Sequence, residues 1–158
     1  MERIIFLLTF VSALGSGLIA GLFFGFSVAV MRALRRIAPA AGISVMQSIN
    51  VVILNPLFLG VFMGTAVCCV ALAVAAIARW SGPAEFYLLA GSLLYVVGSF
   101  GVTMVFNVPL NNALDAVKAD SADAASLWAR YLSVWTMWNH VRTVASTAAM
   151  ASFMLALR

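Results

Sequence analysis

The segment Trp138-Asn139-His140-Val141-Arg142 places an imidazole and a guanidinium two residues apart within a strongly apolar stretch, and His140 is the only histidine among 158 residues. Ionisable groups are costly inside a bilayer and are kept mainly where they bind or react. A neutral imidazole can accept a proton near pH 7. A guanidinium can hold an anionic oxygen, or it can snorkel toward headgroups. Three readings of His140 stand side by side: a proton acceptor, a ring hydrogen-bonded to another helix, and a single axial haem ligand. Zinc or non-haem iron would need several His, Cys, Asp or Glu ligands. With one histidine, and with Cys68 and Cys69 adjacent in mid-span as small core residues, no metal site is expected.

Other polar groups accompany this run. Asn55, Asn107 and Asn111 lie on neighbouring apolar segments at a similar depth. Asn55 precedes Pro56 and reads either as a pocket wall or as a partner for backbone freed by the proline. Asn107 and Asn111 belong to Phe106-Asn107-Val108-Pro109-Leu110-Asn111, which reads as a helix exit turn or as part of a site. Trp135 and Trp138 suit stacking on a flat ligand or anchoring at the interface. Phe23, Phe24 and Phe26 can supply an aromatic wall. At about 100° per residue, Trp135, Asn139, Arg142 and Ser146 share one helix face, and Thr136, His140, Thr143 and Thr147 share the adjoining one. The whole arc is expected to face a cavity or the bundle interior, because lipid offers it no hydrogen bonds.

The elements that position these groups follow from composition. The chain is 65% hydrophobic and 9% charged, against about 25% charged for a soluble domain. Its mean hydropathy is +1.10. Four stretches, about 4–31, 51–78, 85–107 and 134–157, are long enough to span a bilayer at about 20 residues each. They are continuous rather than alternating, so helices are expected rather than a barrel. The expectation is an all-α, integral membrane, four-helix up-down bundle forming a single transmembrane domain over 1–158. Such a bundle gathers the end of helix 1, the start of helix 2, the end of helix 3 and the start of helix 4 on one side. That brings the asparagines, His140 and Arg142 together.

Several local features refine the picture. The apolar run from Ile4 outlasts a signal-peptide core and reads as a retained helix. Helix 2 is expected to start near Pro39 and to be kinked by Pro56. Helix 4 is expected to start near Ser121 or Asp123, either of which can cap it, and to reach about 50 Å. Ala13, Gly17, Gly21 and Gly25 form a small-residue stripe that reads as a seam between two copies of the chain or as packing within one bundle. The net charge of +4 comes from basic residues at segment ends and loops, a placement that suits headgroups and gives no nucleic-acid surface. The excess of Lys and Arg puts loops 32–50 and 112–133 on the cytoplasmic side.

Phe-Asn-Val-Pro-Leu-Asn at 106–111, Trp-Ala-Arg-Tyr at 128–131 and Trp-x-x-Trp-Asn-His-x-Arg at 135–142, with Asn50 and Asn55-Pro56, resemble the anthrone oxygenase family. These are small four-helix integral membrane proteins, many of them bacterial, which implies a bacterial inner membrane. The resemblance implies oxidation of an anthrone to an anthraquinone by dioxygen without metal or flavin. It makes His140 the leading catalytic candidate, with Asn107, Asn111, Trp138, Asn139 and Arg142 around it. In that route His140 removes a carbon-bound proton, Arg142 or an amide steadies the resulting oxyanion, and dioxygen attacks the anion.

Two classes of function remain at this level. One is a cofactor-independent oxygenase acting on a hydrophobic polycyclic phenol or anthrone. The other is a non-enzymatic membrane protein holding a quinone, lipid or partner helix in a polar pocket within the bundle.

Overall fold

The computed structural model describes residues 2–121 and 123–158, and among these it is all-helical, with no strand. Five helices follow one another: α1, Glu2–Leu34; α2, Pro39–Val52; α3, Pro56–Ala78; α4, Pro83–Asp115; and α5, Ala124–Ala156. Three of them, α1, α3 and α4, are long and apolar enough to cross a membrane. The expected fourth span falls within α5, whose 33 residues are long enough but less apolar. Its buried face carries Asn139, Arg142 and Ser146, and those side chains lower its hydropathy.

Prolines begin three of the helices. Pro39, Pro56 and Pro83 each stand in a first turn, where a missing N–H costs nothing. Pro56 therefore does not kink one continuous helix, as the sequence had suggested. The chain breaks at residues 53–55, and α3 begins anew with Asn55 as its N-cap. Asn55 accepts from the Phe58 N–H at 3.0 Å and donates to the Val52 carbonyl at 3.1 Å. Pro109 behaves differently. It lies within α4, which continues to Asp115 instead of ending in an exit turn near 107. Upstream of it the helix is π-helical over Leu94–Gly101 and Thr103–Asn107. At the start of α5, Asp123 occupies the cap position, but its side chain makes no capping bond.

The long helices pack α5 against α1 and α4, with α3 closing against α1 and α4. Glycines set two of the closest approaches: Gly15 of α1 faces Thr65 of α3, and Gly98 of α4 faces Ala145 of α5. In the small-residue stripe of α1, Gly17 meets Met150, while Gly21 and Gly25 face open space. One core joins Ile19, Phe62, Leu72, Tyr95 and Phe153. A second, under the short helix α2, joins Ile43, Met46, Leu114, Trp128 and Tyr131. Leu14, Leu18, Val67, Val74, Val97 and Val144 are exposed on the outside, an apolar surface suited to acyl chains.

Candidate functional site

The site is built where the two cores meet, and π-helical turns set its register. Tyr95, Ser99, Thr103 and Asn107 are spaced four apart, and on a straight α-helix such a series drifts about 40° per step. The wider π turns of α4 take up that drift. Ser99 and Asn107 are consequently buried, and Thr103 faces α5. A further π-helical segment, Phe26–Val30 in α1, follows Phe23 and turns Ser27 toward α5.

Arg142 occupies the centre and is only 4% exposed. Its Cζ lies 4.0 Å from the centroid of the Phe23 ring and 5.1 Å from that of Trp135. The guanidinium donates to the Asn139 amide oxygen at 2.6 Å and to the Thr103 hydroxyl at 3.1 Å, and its Nε is buried without a partner. Thr103 in turn donates to the Ser99 carbonyl at 2.8 Å. The fully buried Asn139 donates to the Phe23 carbonyl and to the Ser27 hydroxyl, both at 2.7 Å. One asparagine thus ties α1 to α5 and orients the arginine.

A pocket of about 90 Å³ opens beside the guanidinium. Phe23, Phe26, Phe58 and Trp135 give it aromatic walls, Ile53 and Leu54 form its lip, and no carboxylate lines it. Its polar groups are mostly donors. Asn111 uses its oxygen to accept from the Tyr131 hydroxyl and the Trp135 indole N–H, each at 2.8 Å, which leaves its NH₂ to donate. The Asn50 NH₂ is buried and unpartnered. A cation without a counter-ion, aromatic faces and spare N–H groups together favour a flat ligand bearing an anionic oxygen.

The structure divides the residues expected to form the site. Arg142, Trp135 and Asn111 line the pocket, and Asn139 supports Arg142. Asn107 is buried one layer away, donating to the Trp135 carbonyl at 3.2 Å. Trp138 turns aside and stacks on Phe106 at 3.6 Å between centroids. Phe24 is 57% exposed, and the aromatic wall comes from Phe23 and Phe26 instead. Asn55 is exposed and serves as a helix cap.

His140 departs most from expectation. It is exposed and opens onto a separate cleft with Ser27, Met31, Arg32, Arg35 and Thr136. Two residues along a helix is about 200° of rotation, so turning Arg142 inward turns the imidazole away. Of the expected polar arc, only the face bearing Trp135, Asn139, Arg142 and Ser146 is buried. Thr103 and Asn50, which line the pocket, and Tyr131, which holds Asn111 from beside it, were not expected there. Thr103 falls four residues before Asn107, a spacing that could have revealed it. Among the described residues, no group of three or more His, Cys, Asp or Glu side chains could hold a metal ion.

The family model described as anthrone oxygenase matches residues 58–152, more than half of the chain. The match takes in nearly all of α3, the whole of α4 and most of α5, and so includes Thr103, Asn111, Trp135, Asn139 and Arg142. No curated protein and no solved structure matches the chain.

Proposed function

The chain belongs to the anthrone oxygenase family, and on that premise we propose that the Arg142 pocket binds an anthrone-like polycyclic phenol as its enolate and exposes it to dioxygen. The observation that carries this reading is a buried guanidinium between two aromatic rings in a pocket that offers donors and no carboxylate. An arginine held in that way lowers the energy of an oxyanion far more than water does, because it is already oriented and poorly screened.

The chemistry balances without a second substrate. The methylene carbon of the anthrone gives up one proton to water, and the negative charge settles on the ring oxygen beside Arg142. The electron-rich carbon forms a C–O bond to dioxygen, and the peroxide so formed takes up a proton. Loss of the remaining carbon-bound hydrogen with cleavage of the O–O bond releases water and leaves a second ketone. One anthrone and one dioxygen give one anthraquinone and one water. In this route Arg142 promotes ionisation, and no side-chain base inside the pocket is required. On this reading His140, which opens onto the cleft on the other side of α5, takes no part in proton removal, in place of the role that the resemblance implies.

The pocket is smaller than the ~300–1,000 Å³ of ordinary ligand sites, so substrate must open it. Ile53 and Leu54 line it from the break between α2 and α3, outside regular helix, and movement of that short link would widen it. Substrate and dioxygen both concentrate in the hydrocarbon layer, which favours entry from lipid. We place α5 across the inner membrane of a bacterium beside the three apolar helices, with loops 32–50 and 112–133 on the cytoplasmic side.

Dioxygen uptake by the purified protein with an anthrone tests the proposal. It predicts one dioxygen consumed per quinone formed, with no haem or flavin absorption in the resting protein. It also predicts a loss of about 100-fold or more in Arg142→Gln, as for other lost oxyanion donors. Uptake no faster than in buffer, with ligand still bound, would leave a binding protein in its place.

A further inference from the structure

The cleft that holds His140 has a chemistry of its own. Arg32, in the last turn of α1, and Arg35, its C-cap, three apart, line the cleft together. They meet Thr136 and His140, four apart on α5, across a hollow of about 180 Å³ that no carboxylate lines. Two hydroxyls belong to the hollow. Ser27 accepts from Asn139 and keeps its own proton to donate, and the Thr136 hydroxyl oxygen is buried without a partner. The cleft lies just beyond the apolar run of α1, where a spanning helix meets headgroups. Two forked cations, two hydroxyl donors and an imidazole match the tetrahedral oxygens of a phosphate.

We propose that the Ser27–Arg32–Arg35–Thr136–His140 cleft binds a phosphate group, presented by a phospholipid headgroup or free in solution. Through the Asn139–Ser27 hydrogen bond its occupant is one side chain removed from the asparagine that orients Arg142.

The test uses the full chain in nonionic detergent, titrated with dioctanoyl phosphatidic acid, dioctanoylglycerol and inorganic phosphate, with bound ligand counted by native mass spectrometry. Saturable one-to-one binding of phosphatidic acid, weakened about tenfold by either Arg32→Gln or Arg35→Gln, supports the site. Arg36→Gln removes the same charge from an exposed neighbour that does not line the cleft, and is expected to change affinity less than twofold. Competition by inorganic phosphate identifies a soluble anion as an occupant, and its failure to compete identifies a headgroup. Equal binding of dioctanoylglycerol, equal loss in Arg36→Gln, or no saturable binding of either phosphate probe overturns the proposal.

Discussion

His140 and Arg142 are two residues apart in the chain, yet they open onto different hollows. The imidazole faces the cleft beside Arg32 and Arg35, and the guanidinium faces the pocket between Phe23 and Trp135. In the proposed reading, charge stabilisation belongs to one side of α5 and the phosphate cleft to the other. It also makes the two residues separable by mutation.

Asn139 is the joint on which the arginine turns. Replacing it with Leu keeps the approximate volume but strands the Phe23 carbonyl, the Ser27 hydroxyl and one arm of Arg142 in a buried place. A loss of about 3 kcal/mol or more is expected, the sum of several unmet polar groups. Unfolding in detergent measures it, and a loss under about 1 kcal/mol would mean that these groups find other partners.

The Asn111 oxygen serves two donors, and the order of effects follows. Tyr131→Phe removes one hydrogen bond and leaves Trp135 partnered, costing about 1 kcal/mol. Asn111→Leu strands both the phenol and the indole and is expected to cost about 2–3 kcal/mol. Equal effects on unfolding would contradict the shared acceptor.

Asn55 is a cap and not a pocket wall. Asn55→Ala is expected to cost about 1 kcal/mol through the lost bond to the Phe58 N–H. Turnover of an anthrone should stay within twofold of the parent, and a large fall in turnover with little loss of stability would return this residue to the site.

Helix contact predicts a contrast between two glycines. A Cβ at Gly98 would stand 2.6 Å from that of Ala145, whereas one at Gly21 would meet nothing within 4 Å. Gly98→Val should therefore destabilise by about 1–3 kcal/mol or more through overpacking, and Gly21→Val by less than about 0.5 kcal/mol. Thermal unfolding of the two variants decides the matter. A destabilised Gly21→Val that also loses dimers would reveal a seam between copies.

Much of this architecture was legible in the residues. Continuous apolar runs gave the helices, and the 100° rule put Trp135, Asn139, Arg142 and Ser146 on one face, the face that is buried. Rotation also separates His140 from Arg142, but the polar neighbours Thr136, Thr143 and Thr147 made its face look inward-facing too. Local hydrogen bonds explain two of them: Thr143 and Thr147 donate to carbonyls four residues back and so need no polar surroundings. The π-helical turns of α4 could not be read from spacing, because polar residues four apart suit an α-helix as well as a π-helix. Nor could the break at 53–55, since a proline after an apolar run either kinks a helix or starts one.

The proposal has Arg142, and not His140, ionise an anthrone. Anaerobic titration of the protein with an anthrone at neutral pH tests it most directly, because the enolate absorbs at longer wavelength than the ketone. The enolate band is expected on binding to the parent protein and to His140→Ala, and is expected to be absent in Arg142→Gln. An enolate band that persists in Arg142→Gln and disappears in His140→Ala would contradict it.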